Sequence, residues 1–297
     1  MKSTKRLTIG MPVYNDVQFI EESLQSILDQ SFQDYLLVIV DDCSTDGSGE
    51  VCKKVADQHP NIQYFRNKEN IGISKNMMGL LNHAQTPYFA WAGDDDIIHK
   101  EFFTELISLL EKDKDAVCAF SKYSIIDENG KPIKEINADY TSKKPLNRIR
   151  KLARTQDDGF GYGVFRTEKI RDTYFPTWWW PNKRSAYNNI FPSLCFYLSK
   201  GLYLHSEKNL FKKRIKTNKN VHHKTTGSGN AIKETLAFII RRFNLVIVST
   251  KMISKGAGIF MTIPSFFILN YYWFLKSSAK QIALASNAFW NNRVLKK

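Results

Sequence analysis

Two groups of carboxylates stand where a fold could put them to chemical use. Asp41 and Asp42 directly follow the apolar run Leu36-Leu37-Val38-Ile39-Val40, and Asp94, Asp95 and Asp96 follow a second apolar run, Tyr88 to Ala92, after Gly93. Adjacent aspartates repel one another, so a chain that keeps three together commonly uses them on a cation or a hydrogen-bonding ligand. Hard carboxylate oxygens suit Mg or Mn, and such an ion can bridge a diphosphate. The alternative is a solvated acidic turn that caps the next helix. Two further loops carry polar residues in patterned order. Asn70-Ile71-Gly72 precedes a helical pattern and reads either as an ordinary Asn-x-Gly turn or as part of a ligand loop, with Gly72 serving the backbone and Asn76 approaching a nucleotide. Ser44, Thr45, Asp46 and Gly47 enter a helix, where capping accounts for Ser44 and Thr45 and leaves Asp46 open.

The elements that must position these residues alternate in type. Leu7 to Ile9 and Leu36 to Val40 read as buried strands ending in loops dense in turn residues. Between them Ile20, Leu24, Ile27 and Leu28 recur at helical spacing, with Asp16, Glu21 and Glu22 near the front, where the helix dipole favours acids. The alternation continues with a helix around Glu50 to Gln58, a strand at Ile62 to Phe65, a helix from Ser74 to His83 and a strand at Tyr88 to Ala92. This predicts an α/β fold with a mostly parallel central sheet flanked by helices, with ligands gathered at the carboxyl ends of the strands.

Charge divides the chain. The net charge is +14, but residues 1–125 carry 12 Lys and Arg against 19 Asp and Glu, residues 126–230 carry 21 against 9, and residues 231–297 carry 10 against one. We therefore expect three parts with these boundaries: an acidic ligand-binding half, a basic second half, and a basic, apolar C-terminal helical region that meets something anionic. Ile259 to Leu275, flanked by Lys255 and Lys276, lies at the lower edge of what spans a bilayer, and Pro264 and Asn270 interrupt it. An interfacial or re-entrant helix pair is expected, with Arg241, Arg242, Lys251, Lys276 and Lys280 meeting anionic head groups; a helical cap packed on the domain is the alternative. The four cysteines are scattered without metal-site or disulfide spacing, and the run from Leu7 is too short for a signal-peptide core, so a cytoplasmic protein on the inner face of the cell membrane is expected. The acidic first half and the lack of a recognisable motif argue against nucleic-acid binding despite a pI near 9.5. No Gly-x-Gly-x-x-Gly loop follows the first strand, which argues against a dinucleotide oxidoreductase.

Four motifs in order, Pro12-Val13-Tyr14-Asn15, Asp41-Asp42-Cys43-Ser44-Thr45-Asp46-Gly47, Asn70-Ile71-Gly72 and Gly93-Asp94-Asp95-Asp96, resemble those of the family 2 inverting glycosyltransferases with the GT-A fold. The resemblance covers about the first 125 residues. It implies a GT-A nucleotide-diphospho-sugar transferase fold, with residues 1–125 as the nucleotide-sugar-binding half and residues 126–230 as the acceptor-binding half, here with a C-terminal helical, membrane-associating extension. It also implies inverting, metal-assisted transfer of a sugar from a nucleotide sugar, most simply a UDP-sugar, to a glycan or lipid-linked acceptor in cell-surface polysaccharide, lipopolysaccharide or glycolipid assembly. On the resemblance, Pro12, Tyr14, Asn15, Asn70, Gly72, Asn76 and Asp41 or Asp42 line the nucleotide pocket, Asp94 faces the ribose, and Asp95 is the metal ligand of the Asp-x-Asp motif, with Asp96 in reserve. Gly93 stands where the commoner form has an acid, which leaves the register of ligation open by one residue.

An inverting transfer also needs a carboxylate base. The stretch that resembles the family's base position, Tyr187-Asn188-Asn189-Ile190, carries amides, so Asp157 and Asp158 beside Gly159 are the candidates. Gly159 to Arg166 resembles the acceptor-side segment, although alternating glycine and aromatic residues also mark a bent strand. His222 and His223 follow a basic strand-like run, Leu210 to Lys216, where relatives present a histidine to metal or diphosphate; His222 joins the expected ligands, and a solvent-exposed pair is the alternative. Trp178-Trp179-Trp180 suits stacking on a sugar, contact with lipid, or packing beneath a loop. Without a secure base, a non-catalytic nucleotide-sugar-binding, membrane-associated protein is the competing reading.

Overall fold

The computed structural model describes residues 5–173, 190–216 and 231–276. In chain order the elements are β1 (Leu7–Val13), α1 (Ile20–Leu28), β2 (Tyr35–Asp41), α2 (Ser48–Gln58), β3 (Ile62–Arg66), α3 (Ile73–His83), β4 (Tyr88–Trp91), β5 (Ile97–Ile98), α4 (Phe102–Lys112), β6 (Ala116–Ile126), β7 (Pro132–Ile136), α5 (Pro145–Thr155), β8 (Val164–Arg166), α6 (Thr167–Ile170), α7 (Phe191–Ser199), β9 (Leu202–Arg214), α8 (Ala231–Ala257) and α9 (Thr262–Leu269). They divide into two units: residues 1–143, 157–175 and 200–217, and residues 144–156, 176–199 and 218–297. The composition boundary drawn at residue 125 falls inside β6.

The first unit is built on one sheet, nine-stranded among the described residues, in the order β3-β2-β1-β4-β8-β6-β9-β5 with β7 paired to β6. β3, β2, β1 and β4 run parallel, as the βαβ alternation predicts. β1 is buried on both faces, which is why Leu7, Ile9, Met11 and Val13 are accompanied by buried Thr8 rather than by an exposed polar row. The Thr8 hydroxyl meets that of Thr86 at 2.7 Å, which satisfies both. α1 places Ile20, Leu24 and Ile27 against the sheet, and α4 does the same with Phe103, Leu106 and Leu110.

Beyond β4 the sheet is mixed, so the mostly parallel central sheet expected from the alternation describes β3, β2, β1 and β4 and not the strands that join them. β8 is antiparallel to both β4 and β6, β9 is parallel to β6, and β5 is antiparallel to β9. The pairing of Ile97 and Ile98 with Lys212 and Phe211 has a direct consequence. It holds the basic end of β9 beside the residues that follow β4.

The second unit is helical in its described residues. Pro145 opens α5, where its missing N–H is harmless. Buried Arg148 donates from Nε and Nη2 to the Leu198 carbonyl, at 3.0 and 2.7 Å, answering a carbonyl that the end of α7 leaves open. α7 packs on the 27-residue α8, followed by a 3₁₀ turn (Ile259–Met261), α9, and a wide π-helical turn (Asn270–Leu275). Pro264 falls in the first turn of α9 instead of breaking it. Trp273 is buried and donates its indole N–H to Ala153 O at 2.9 Å. No helix among the described residues is long and apolar enough to cross a membrane.

Candidate functional site

The parallel strands deliver three loops to one edge of the sheet. After β1, Tyr14 is exposed and its N–H donates to Asp94 Oδ2 at 3.1 Å, tying the loop to the acidic triplet. Asn15 turns the chain with φ of 54°, a conformation asparagine tolerates. Its N–H donates to Ser44 Oγ and its Oδ1 accepts from the Thr45 N–H. Pro12 pairs in register with Val40 at the ends of β1 and β2.

Asp41 and Asp42, expected to line the nucleotide pocket, are both buried and engaged within the fold. Asp41 accepts from Ser44 N, from the Tyr64 hydroxyl at 2.9 Å and from Arg66 Nη1 at 2.6 Å. Asp42 accepts from Asn67 Nδ2 and from the N–H groups of Ile71 and Gly72, all within 2.9 Å. It therefore shapes the Asn70-Ile71-Gly72 loop. Asn76, expected near a nucleotide, is buried at the start of α3 and donates to Val40 O at 2.9 Å. Asp46 braces the loop just before Gly47, the N-cap of α2, accepting from both N–H and hydroxyl of Ser48 and from Val17 N. Burial opposes its ionisation, but these bonds outweigh it and hold its carboxyl below the usual range.

The triplet divides by function. Asp94 and Asp95 join Asp16, from the loop after β1, in a group whose carboxylate oxygens lie within 4.8 Å of one another. Asp96, expected as a reserve ligand, is outside that group: it is buried and folds back so that Oδ1 accepts from Arg214 N at 2.9 Å. This path explains Gly93. A Cβ at 93 would lie 2.5 Å from Asp96 Oδ2 and 3.2 Å from Asp95 Oδ1, so an acid there would displace the triplet. Burial, with Asp95 adding to it, pushes the Asp96 carboxyl up to about 8. Burial and the neighbouring Asp16 and Asp95 raise Asp94 as well, against the pull of Lys216.

Among the described residues a cation already serves this group. Lys216 Nζ reaches both carboxylate oxygens of Asp16 at 2.5 Å and Asp95 Oδ2 at 2.9 Å, and it stands over the Phe19 ring. Burial alone would lower its pKa, but Asp95 and Asp16 outweigh it and the ammonium is stabilised. Arg214 braces the same loops, donating to Asp95 O, Glu128 O and Glu22 Oε2. Unlike charges 4 Å apart attract by about 4 kcal/mol at an effective dielectric of 20. One ammonium offsets one of three carboxylates, and the remainder suits a divalent ion with hard oxygen ligands.

The two candidate bases are placed differently. Asp157 Oδ1 accepts from the Tyr123 hydroxyl and from Gly159 N, both at 2.9 Å, a structural engagement. Asp158 pairs with Lys213 Nζ at 2.6 Å, and the next residue along β9, Arg214, holds Asp96 through its N–H, so the pair sits at the end of β9 that meets the triplet. Tyr162 stacks on Phe211 with Lys213 over its ring. Burial raises its phenol, and Asp96, Asp158 and Asp95 add to the effect. A Cβ on Gly159 would come within 2.1 Å of the Tyr123 ring, so this close approach fixes the turn that carries Asp157 and Asp158. His222, His223, Trp178 to Trp180 and Tyr187 to Asn189 lie outside the described residues. Sequence reasoning missed Asp16 and Lys216 as members of the site. Asp16 directly follows the Pro-Val-Tyr-Asn motif but was explained by the helix dipole, and Lys216 closes the basic run after β9.

Several known proteins resemble this chain in sequence or fold. Residues 8–191 match the model of "Glycosyl transferase family 2". The putative teichuronic acid biosynthesis glycosyltransferase TuaG of Bacillus subtilis is 32% identical over 131 residues, 43% of this chain and 50% of TuaG. An uncharacterized glycosyltransferase of Rickettsia conorii is 30% identical over 145 residues, 48% of this chain and 23% of that protein. The chain thus spans half or less of the length of these two relatives. Among solved structures, S. aureus TarS 1–349 in complex with UDP superposes with a TM-score of 0.58 at 16% identity, over 84% of this chain and 70% of that one. The mannosyltransferase PcManGT of Pyrobaculum calidifontis, in complex with GDP-Man and Mn²⁺, gives 0.55 at 17%, over 99% of this chain and 81% of that one. These likenesses are of fold, and the fold is a GT-A-like α/β nucleotide-sugar fold. With the family match extending over residues 8–191 of 297, the chain belongs to glycosyl transferase family 2.

Proposed function

We propose that the chain transfers a sugar, with inversion, from a nucleoside-diphosphate sugar to a glycan or lipid-linked acceptor. The observation that carries this reading is the convergence of Asp16, Asp94 and Asp95 at the carboxyl ends of parallel strands in a family 2 chain. Exposed Tyr14 stands beside Asp94 and offers a face for a base, while Pro12, Asn15 and the loop that Asp42 shapes form the remaining walls of a nucleotide site. A UDP-sugar is the proposed donor, supported by the UDP held in TarS. Mg or Mn is the proposed cofactor, held by Asp95 with Asp16 and Asp94; once bound, such an ion neutralises the leaving diphosphate. The Mn²⁺ in PcManGT supports that choice.

In the transfer, the acceptor oxygen bonds to the anomeric carbon as the bond to the diphosphate oxygen breaks. Asp158 receives the acceptor proton in this reading, since its partner Lys213 adjoins Arg214, which holds the triplet, and Lys213 keeps the carboxylate in place. Asp157 positions that turn through Tyr123 and Gly159. Assembly of a cell-surface polymer is the proposed setting, supported by the name of TuaG. The basic C-terminal region would hold the protein peripherally on the inner face of the membrane, where a lipid-linked acceptor resides.

Thermal-shift measurements with a panel of nucleotide sugars, with and without Mn, test the reading. A metal-dependent stabilisation by one of them is expected, and no stabilisation by any would refute it. The non-catalytic alternative draws on one feature, the ion pair that occupies Asp158. Binding without transfer or hydrolysis across the acceptors tried would favour it.

A further inference from the structure

The segment from Ile259 to Leu275 turns its apolar side the wrong way for a helix that merely completes a core. Ser265, Leu269 and Trp273, four residues apart, form its buried row, anchored by the Trp273 indole on Ala153 O. The opposite row, also at steps of four, is Ile259, Ile263, Phe267, Tyr271 and Leu275. Each is exposed, from 55% at Leu275 to 73% at Ile259, and neighbouring Phe260 is 94% exposed. A surface helix ordinarily gives such positions to polar residues. Single exposed apolar side chains need no explanation, but a continuous row of them marks an interaction surface.

We propose that this row is a membrane-docking face, inserted at the level of the head groups and upper acyl chains of an anionic bilayer. The inference rests on the membrane reading proposed above and assigns it a surface. Charge selects the occupant. Exposed Lys255 and Lys276 bracket the row in sequence, and residues 231–297 hold ten basic residues against the single acid Glu234. An apolar strip set among cations suits acyl chains beneath anionic head groups. A second copy of the chain would bring the same positive charge to the contact and be repelled. With no spanning helix among the described residues, the face would lie along the interface rather than cross it.

The test is co-flotation of the full chain with phosphatidylcholine vesicles containing or lacking phosphatidylglycerol. Wild-type protein is expected to float with the anionic vesicles and to remain mostly behind with the neutral ones. Ile263→Ser combined with Phe267→Ser should weaken anionic-vesicle binding at least tenfold, and Lys255→Gln with Lys276→Gln should reduce the preference for phosphatidylglycerol. Each serine site is about two-thirds exposed, so an unchanged thermal midpoint is expected to accompany the loss. A wild type that ignores phosphatidylglycerol overturns the proposal. So does equal vesicle binding by the serine variant, or a wild-type dimer that this variant dissociates. UDP titration on the same variant should be unaltered, which separates failure of the docking face from failure of the nucleotide site.

Discussion

At the scale of the residue, Lys216 carries the most informative contacts. Its ammonium bridges Asp16 and Asp95 and thereby takes a position that a metal would contest. Removing it leaves three mutually repelling carboxylates, so Lys216→Ala is expected to tighten Mn binding roughly tenfold or more. Titration of the ligand-free protein with Mn, followed by paramagnetic broadening or calorimetry, measures this without turnover. Unchanged or weaker affinity would mean that Lys216 assists the ion instead of competing with it. Asp158 gives a second expectation. Asp158→Asn keeps the shape and removes the proposed base, so kcat should fall by about 10²–10⁴-fold while UDP binding is kept. Asp157→Asn should have the smaller effect on kcat and the larger one on melting temperature, because Asp157 is engaged with Tyr123 and Gly159.

At the scale of the element, the site is made by strand ends and by one short pairing. β1 and β4 bring the Tyr14–Asp16 loop to the triplet, and β5 on β9 brings Arg214 and Lys216 to the same place. Crowding at Gly159 locks the turn carrying the candidate bases, so Gly159→Ala should cost roughly 1–3 kcal/mol in a denaturant melt. The first half of this arrangement was legible in the sequence because β2 and β4 are continuous apolar runs, each closed by an acidic loop. The second half was not. β6 and β9 pair across register shifts, and whether β8 or β5 runs antiparallel depends on partners far away in the chain. The same non-locality explains the site residues. Asp41 looked available from its position, yet Tyr64 and Arg66 on β3 claim it, and no local pattern announces that pairing. Asp16 was overlooked for the opposite reason: a local explanation, the helix dipole, was sufficient on its own.

At the scale of the whole molecule, the division of charge parallels the proposed division of labour, an acidic site for a metal and nucleotide and a basic region for a membrane. All four thiols are free, and they differ in access. Burial, helped by Asp41, pushes Cys52 up to about 12, and burial also raises Cys118 and Cys195, whereas Cys43 is partly exposed in the loop after Asp42. Alkylation of the native protein near pH 8 should therefore modify Cys43 alone, and denaturation should release the other three. Rapid labelling of a second thiol in the native state would show that the core opens more readily than its packing implies. The proposal at the site is narrower, that Asp95, with Asp16 and Asp94, would hold a divalent ion that in turn would hold the nucleotide. Calorimetric titration of UDP into wild type and Asp95→Ala, each with Mn and with chelator, tests it most directly. Mn-dependent binding is expected in the wild type and its loss, at unchanged thermal stability, in the variant; equal UDP affinity in all four titrations would rule the metal role out.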